Sequence, residues 1–366
     1  MTVQAEVAST KPRRRRATPF LVLLILILIG LLLWSLGVFR HQPHVAIITS
    51  GDGPYWDPVE AGANKAADLY DVKVTVIRCK TDMLQQIEKI KDALGEHYDA
   101  VAISPINPTS EATALADVAS STNLVTMDSD SPVARRTCFV GTDNYDAGRL
   151  CGQVVRGAVP GGGEVILFLG NAEKDNTQRR RQGVIDELLQ RSFDPDRPND
   201  ALDAPLKGAD FTVVGTIIDN ADPNTTIQLA TQAIKDHPNV KCFAGLLAYS
   251  GPALVKAVEA AGKSDQIKVV GFDVSSETLD DVEAGKIAGT IMQDQFGCGY
   301  QTVHVLADTA RGNTAELPVF GKKTLPCMIV KKDNVAQARA QLTGGSSPST
   351  GGGGGSAAAA PSTSPG

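Results

Sequence analysis

The stretch "GDGPYWDPVEAG" places Tyr55 and Trp56 side by side in a Gly/Pro-rich loop, although only 5% of the residues in the chain are aromatic. Polar side chains also follow predicted strands, namely Asp128, Asp273 and Gln293. Aromatic rings stack on the apolar C–H faces of a sugar, whereas carboxylates and amides form hydrogen bonds with its hydroxyls, often in pairs. These residue types therefore favour a cleft that binds a small polyhydroxylated ligand.

Strand-like and helical runs alternate through the middle of the chain. Ten short runs rich in Val and Ile predict strands at 44–50, 72–79, 100–105, 124–129, 138–142, 163–170, 211–219, 240–247, 267–273 and 287–293. Amphipathic helical stretches separate most of them, and residues 192–210 are interpreted as a surface insertion. This order predicts an α/β protein with two Rossmann-like lobes, each a parallel sheet covered by helices on both faces. Because ligands bind at the carboxyl ends of parallel strands, we expect the polar residues listed above to face one cleft.

The remaining chemistry-bearing residues do not form a catalytic pattern. None of the five histidines has triad or metal spacing, and neither a G-x-S-x-G elbow nor a P-loop is present. The sequence therefore predicts a protein that is not an enzyme and that uses neither a cofactor nor a metal. The formal net charge is −6, and residues 1–40 carry six basic residues against one acidic residue, so the remainder carries −11. An acidic body argues against nucleic acid as a partner, because binding phosphates requires a basic face.

The two ends of the chain differ from its body. Residues 1–19 form a basic segment, and residues 20–39 are an uncharged apolar run long enough to span a bilayer as a helix. Basic residues ahead of this run favour a cytoplasmic N-terminus, so an uncleaved signal anchor in the inner membrane is predicted, with the body in the periplasm or extracytoplasmic space. The Gly/Ser/Ala/Pro-rich residues 341–366 predict a disordered tail.

Six cysteines lie at positions 79, 138, 151, 242, 298 and 327. An exported domain permits disulfides, but six cysteines allow fifteen pairings and none has the CxxC spacing of a redox or metal site. Disulfides and buried free thiols both remain open on the sequence alone.

A set of motifs in the chain resembles the type I periplasmic binding proteins, the ribose-type solute receptors of sugar ABC transporters. In order along the chain they are "GPYW", "AISPINP", "VTMDSD", "VGTDNYDAGRL", "RRQG", "HPNVKCFAG", "VVGFD" and "GTIMQ", and together they cover roughly residues 43–335. Each motif alone is weak, whereas the ordered set is specific.

The resemblance implies roles for particular residues. The ring-stacking positions of the family fall on Tyr55 and Trp56, the carboxylate of the first lobe on Asp128, and the arginine of R-x-x-G on Arg180. The carboxylate after "VVGF" falls on Asp273, and the amide near the hinge on Gln293. Further candidate ligand-binding residues are Asp130, Asn220, Asp222 and Ser250.

Three positions depart from the ribose-type pattern. Gly53 and Ser250 replace asparagines of the family, and Ser129 replaces an arginine. The sequence "DSD" also resembles the rhamnose-type and autoinducer-2-type receptors of the same fold. The resemblance therefore implies a monosaccharide-like ligand without identifying the sugar.

The resemblance also implies an architecture and a function. The chain is expected to cross between lobes near 141–145, 293–295 and 325–327. The N-terminal lobe is then residues 43–142 with 294–325, and the C-terminal lobe residues 143–293 with 326–340. Hinge closure would capture the sugar and present it to an ABC permease. The alternative is a sensor that reports a sugar or autoinducer-2 to a membrane receptor or kinase, and the DNA-binding repressors of this fold are disfavoured by the N-terminal apolar run.

Overall fold

The computed structural model of this 366-residue chain describes residues 18–35, 41–315 and 317–344. It divides into two compact units, residues 1–42 and 43–366. In the first unit, helix α1 runs from Thr18 to Ser35, and residues 21–32 within it are exposed. Over the described ranges, no helix combines the length and the hydropathy that crossing a membrane requires. The predicted anchor over 20–39 is therefore not supported, and its residues 36–39 lie outside the described residues.

The second unit contains the remaining elements. Its strands are β1 (His44–Ile48), β2 (Lys73–Ile77), β3 (Ala100–Ile103), β4 (Asn123–Met127), β5 (Cys138–Thr142), β6 (Gly163–Leu169), β7 (Leu206–Lys207), β8 (Phe211–Ile218), β9 (Val240–Gly245), β10 (Lys268–Val270), β11 (Thr290–Gln293), β12 (Lys322–Leu325) and β13 (Cys327–Val330). Its helices are α2 (Trp56–Tyr70), α3 (Met83–Gly95), α4 (Ala112–Ser121), α5 (Asn144–Ala158), α6 (Asp175–Leu188), α7 (Pro223–Asp236), α8 (Ser250–Ala260), α9 (Ser276–Glu283), α10 (Gln295–Ala310) and α11 (Val335–Gly344).

The strands form two main sheets. The first sheet is entirely parallel, with strand order β12-β5-β4-β3-β1-β2. The second has the order β10-β9-β6-β8-β7, and it is parallel except for the short edge strand β7. Strands β3 and β5 are buried along their whole length, as expected for strands covered by helices on both faces. The α/β class predicted from the alternating pattern is confirmed.

Strands β11 and β13 form a separate antiparallel ribbon, in which Gln293 is paired with Cys327. Strand β13 follows β12 after one residue, so the chain passes directly from the first sheet into this ribbon. The chain also leaves β5 and β11 at aspartates that cap the helices which follow. Asp143 accepts from Tyr145 N at the start of α5, and Asp294 accepts from Gly297 N at the start of α10. The lobe boundaries given above remain a prediction.

The ends of the predicted segments are only partly described. Residues 1–17 of the basic segment and residues 345–366 of the tail lie outside the described residues. Residues 341–344, predicted as the start of a disordered tail, belong to helix α11 instead. Leu342, within this stretch, packs against the same core cluster as Val335 and Ala338, which accounts for the continued helix.

Candidate functional site

A cleft of about 840 Å³ lies where the carboxyl ends of strands from both sheets meet. Residues 50–58 after β1 and Asp128 after β4 line it on the side of the first sheet. On the side of the second sheet it is lined by residues 170, 171, 174, 176 and 177 after β6, by 247–249 after β9 and by 273–277 after β10. The loop that carries Tyr55 and Trp56 therefore faces the polar residues that follow the other strands.

Asp128 is the buried carboxylate on the side of the first sheet, with 4% of its surface exposed. Its Oδ1 accepts from Tyr55 Oη at 3.0 Å, and its Oδ2 accepts from Ser104 Oγ at 2.8 Å. Across the cleft, Lys174 Nζ lies 3.2 Å from Oδ2, and Asn176 Nδ2 lies 3.4 Å from both oxygens. Burial alone would raise the pKa of Asp128, but the cations and the hydrogen bonds outweigh burial and hold its pKa below the usual value.

Asp273 is the buried carboxylate on the side of the second sheet, with 2% of its surface exposed. Its Oδ1 accepts from Gln293 Nε2 at 2.6 Å, and its Oδ2 lies 4.0 Å from Arg180 Nη1. Burial raises the pKa of Asp273 to about 6, because Arg180 and Gln293 only partly offset the loss of water. The two buried carboxyls thus differ in their hydrogen bonding. Both oxygens of Asp128 accept hydrogen bonds, whereas Oδ2 of Asp273 faces Arg180 Nη1 at the longer distance of 4.0 Å.

Both carboxylates stand in the left-handed backbone region, with φ of 57° at Asp128 and 62° at Asp273. Residues other than glycine adopt this region rarely, and such residues concentrate at functional sites because the surrounding fold must hold them there. Here, backbone hydrogen bonds do so: Asp128 N donates to Val140 O at 3.0 Å, and Asp273 N donates to Ile291 O at 2.7 Å. The turn after each strand therefore directs the carboxylate into the cleft.

Arg180 links the parts of the site, and only 1% of it is exposed. Its Nε donates to Asn144 Oδ1 at 2.8 Å, its Nη1 to Leu246 O at 3.2 Å, and its Nη2 to Gln293 Oε1 at 2.9 Å. The guanidinium also lies over the ring of Phe272, 4.1 Å from its centroid. This network fixes the cation in one orientation beside the oxygen of Asp273 that faces it.

Close packing of α5 against α6 sets the position of Arg180. A Cβ added at Gly148 of α5 would lie 2.2 Å from Arg180 O, and one added at Gly183 of α6 would lie 2.2 Å from Tyr145 O. Only glycine permits backbones to approach this closely at both positions. The "VGTDNYDAGRL" and "RRQG" motifs therefore meet at a helix–helix contact that supports the site.

The two aromatic rings of the opening loop contact each other edge to face, with centroids 5.1 Å apart and planes at 83°. Trp56 is the first residue of α2, and only 5% of it is exposed because it packs in the core beneath the first sheet. Because the rings are nearly perpendicular, a flat ligand can lie on one ring but cannot lie flat on both. Stacking on Tyr55 and Trp56 remains a prediction.

Four of the predicted ligand-binding residues do not line the cleft. Asp130 is paired with Arg136, whose Nε and Nη2 donate to its two oxygens at 2.5 and 2.7 Å. Asn220 is exposed, and Asp222 caps α7 by accepting from Thr225 N at 2.6 Å. Ser250 is fully buried at the start of α8. The cleft instead brings together Tyr55, Trp56, Asp128, Arg180, Asp273 and Gln293.

Three polar residues of the site were not predicted: Asn144, Lys174 and Asn176. Lys174 and Asn176 follow β6, so the rule that polar residues after strands face the cleft could have identified them. Asn144 belongs to the "VGTDNYDAGRL" motif, and its role as the acceptor for Arg180 depends on the contact between α5 and α6. All six cysteines are among the described residues, and all are free thiols. The described ranges hold no cluster of side chains suited to a metal ion.

Comparison with known proteins gives consistent matches. A family model described as "Periplasmic binding protein domain" matches residues 45–314. The D-allose-binding periplasmic protein of Escherichia coli K12 is 22% identical over 295 residues, which cover 78% of this chain and 89% of that protein.

Solved structures share the fold. An ABC transporter solute-binding protein from Burkholderia graminis C4D1M, in complex with D-arabinose, is 26% identical with a TM-score of 0.71, and the match covers 80% of this chain and 96% of that one. A chain of the XylFII–LytSN complex is 20% identical with a TM-score of 0.69, covering 80% and 99%.

Proposed function

The chain belongs to the periplasmic binding protein family, and from that premise we propose that it captures a monosaccharide-like ligand in the cleft between its two sheets. The observation that carries this proposal is the pair of buried carboxylates, one from each sheet, that face one cleft together with Arg180 and Gln293. Charged groups strengthen hydrogen bonds to hydroxyls, and planar carboxylates and amides match pairs of neighbouring hydroxyls. We propose binding without catalysis, as the relatives are named for binding sugars.

Within the site, Asp273 and Gln293 are proposed as the primary contacts to the ligand. Oδ2 of Asp273 and the remaining donor of Gln293 Nε2 can meet adjacent hydroxyls, whereas Asp128 already accepts from Tyr55, Ser104, Lys174 and Asn176. A ligand that contacts Asp128 must therefore displace one of these donors. We propose that Tyr55 offers a ring face to the C–H side of the sugar.

Capture is proposed to proceed by hinge closure. The proposed lobes are residues 43–142 with 294–325 and residues 143–293 with 326–340, joined by the three passages near 143, 294 and 326. A ligand that contacts Asp128 on one lobe and Asp273 on the other binds more strongly to the closed arrangement, so it shifts the population toward that state. No group on the ligand needs to react.

Delivery of the ligand to an ABC permease is the proposed outcome of closure, and it is supported by the neighbour from Burkholderia graminis, which is an ABC transporter solute-binding protein. A second candidate is signalling to a membrane partner. That candidate is supported by one observation, the existence of the XylFII–LytSN complex, in which a chain of the same fold is bound to a second protein. Pull-down from the native membrane with and without ligand distinguishes them, since the bound partner is either a permease or a receptor.

The place of action is proposed to be outside the cytoplasm. We further propose that the N-terminal region tethers the protein to the membrane. This proposal rests on the sequence of residues 11–39, in which basic residues precede an uncharged apolar run. It is tested by alkaline carbonate extraction of cell membranes that carry the full chain or a variant lacking residues 1–40. Retention of the full chain alone supports the tether, and extraction of both contradicts it.

Ligand binding is tested by calorimetric titration of the chain with pentoses, hexoses, 6-deoxyhexoses, cyclitols and autoinducer-2. Micromolar or tighter binding of one of these, lost in Asp273→Asn and in Arg180→Lys, is the expected result. Lysine keeps the charge of Arg180 but cannot make its three directed hydrogen bonds. Arg135→Lys is the matched control because Arg135 is exposed. Absence of binding to the entire panel by the folded protein contradicts the proposal.

A further inference from the structure

The cleft is larger than a monosaccharide requires. A six-carbon sugar has about twelve non-hydrogen atoms, which fill roughly 360 Å³ even at the loose packing of about 30 Å³ per atom found in liquid water. The cleft holds about 840 Å³. More than half of the space therefore remains when one sugar ring occupies the polar end.

The two sides of the cleft are already in contact along one edge. Lys174 Nζ donates to Ser50 Oγ at 2.6 Å across the cleft, and Asn171 Nδ2 donates to Ile106 O at 3.4 Å. Asn107 and Glu173 are also hydrogen bonded to each other. The two sides touch along the edge formed by these residues, so further closure can narrow the cleft only away from this edge.

The remaining space is bordered by an apolar wall on the side of the second sheet, provided by the loops after β8 and β9 and by α7, α8 and the residue after Asp273. The wall consists of Ala221, Ile227, Leu247, Ala248, Ala253 and Val274. A Cβ added at Gly170 would lie 2.6 Å from Leu247 Cδ1 and 3.2 Å from Ala221 Cβ, so these side chains close over the backbone of Gly170. The wall therefore begins directly beside Gly170.

Tyr249 adds a ring to this wall rather than a free hydroxyl. Its Oη donates to the buried carboxylate of Asp219, which does not line the cleft. The outer rim carries the exposed pair Lys256 and Glu277, whose charged atoms lie 3.0 Å apart. The cleft therefore has a charged, hydrogen-bonding end, an apolar middle and a solvated rim.

We propose that the ligand is a sugar that carries an apolar substituent, with the sugar at the Asp273–Gln293 end and the substituent against the apolar wall. This inference rests on the proposed function and specifies its ligand class as amphipathic glycosides. A free sugar leaves the wall in contact with water, whereas an attached aromatic ring removes apolar surface from water on both partners.

The test compares matched ligands on the full chain, kept in a detergent that carries no sugar. Calorimetry measures the affinity for methyl and 4-nitrophenyl glycosides of the same pentoses, hexoses and 6-deoxyhexoses. For the sugar that binds, the aryl glycoside is expected to bind at least about tenfold more tightly than the methyl glycoside, given the surface that a buried ring removes from water. In Ala248→Glu, which places a charge on the wall, the ratio of the two affinities is expected to fall to about one.

Ala260→Glu is the matched control, because Ala260 is exposed at the far end of α8, and it is expected to keep the wild-type ratio. If a methyl glycoside binds and its aryl counterpart binds no more tightly, the amphipathic ligand is refuted while the proposed function stands. Tighter binding of a disaccharide than of any aryl glycoside also refutes it, in favour of a second sugar on the wall. If a free sugar binds and no glycoside does, the amphipathic ligand is refuted and the proposed function stands. If neither free sugars nor glycosides bind to the folded protein, the proposed function itself fails.

Discussion

Lys174 and Asp128 form an ion pair across the cleft, with Nζ 3.2 Å from Oδ2, although Lys174 follows a strand of the second sheet and Asp128 follows a strand of the first. The same ammonium group donates to Ser50 Oγ on the side of Asp128. One side chain on the side of the second sheet thus bridges two residues of the first, and one of these is the carboxylate proposed to contact the ligand.

Replacing Lys174 by methionine should destabilise the folded protein. Asp128 would stay buried without its nearest cation, and removal of one partner from a buried pair costs about 3 kcal/mol. The lowered pKa of Asp128 means that its contribution is present above the ordinary pKa of a carboxyl group and is lost as the pH falls. Urea unfolding at pH 7 and pH 3 should therefore show a large difference from wild type at pH 7 and a smaller one at pH 3.

Lys89→Met is the matched control, since Lys89 pairs with Asp92 on the exposed face of α3. Surface pairs contribute little, so no measurable change in the free energy of unfolding is expected. Equal effects of the two substitutions would show that the pair across the cleft does not stabilise the fold.

Asp273 should make stability fall as the pH rises from about 4 to about 6. Its folded pKa is raised to about 6 from the ordinary 3.8, so the folded state keeps a proton that the unfolded state has lost in this range. Above pH 6 the penalty is constant, at about 3 kcal/mol for a difference of roughly two pKa units. The stability of Asp273→Asn relative to wild type should thus increase between pH 4 and pH 7, as measured by urea unfolding. Asp280→Asn, at an exposed position, is the control.

Tyr55→Phe should separate the hydroxyl of Tyr55 from its ring. The variant removes the donor to Asp128 Oδ1 and keeps the aromatic surface, so a loss of about 2 kcal/mol in unfolding free energy is expected for a hydrogen bond to a charged group. Tyr70→Phe is the matched control, because the hydroxyl of Tyr70 is paired with another hydroxyl, that of Tyr300 at 3.4 Å, and not with a carboxylate. Equal losses in the two variants would contradict an ionised Asp128 as the acceptor.

Two glycines on α5 should respond to alanine in opposite directions. Gly148→Ala places a Cβ 2.2 Å from Arg180 O, so α5 and α6 must separate and the fold should lose about 2 kcal/mol or more. At Gly157 the nearest atom is Lys331 Nζ at 3.9 Å, and alanine should stabilise the helix by about 0.5–1 kcal/mol. Thermal unfolding of both variants tests this, and a stabilised Gly148→Ala would contradict the close approach of α5 and α6 at this position.

Much of the site could be predicted from the sequence, because local pattern places polar residues at the carboxyl ends of strands. Asp128, Asp273 and Gln293 were expected there for that reason, and the structure brings them to one cleft. Arg180 was expected only through the resemblance, since within "RRR" no local rule singles out one arginine. In the structure, Gly183 of the R-x-x-G motif distinguishes Arg180 from its neighbours, because this glycine allows α6 to pack closely against α5.

Asp128 and Asp130 show what only the tertiary structure decided. They are two residues apart in "DSD", and either could face a cleft on the sequence alone. The left-handed backbone at Asp128 directs its carboxylate into the cleft. The carboxylate of Asp130 instead accepts hydrogen bonds from Arg136, six residues further along the chain. Strand order likewise depends on pairing between residues far apart, which no local pattern encodes, as in β12 beside β5 and β11 beside β13. The sequence by itself determined the alternation of elements and which side chains end its strands, because these follow from neighbouring residues. The fold decided which of those side chains meet, because that depends on where distant strands end.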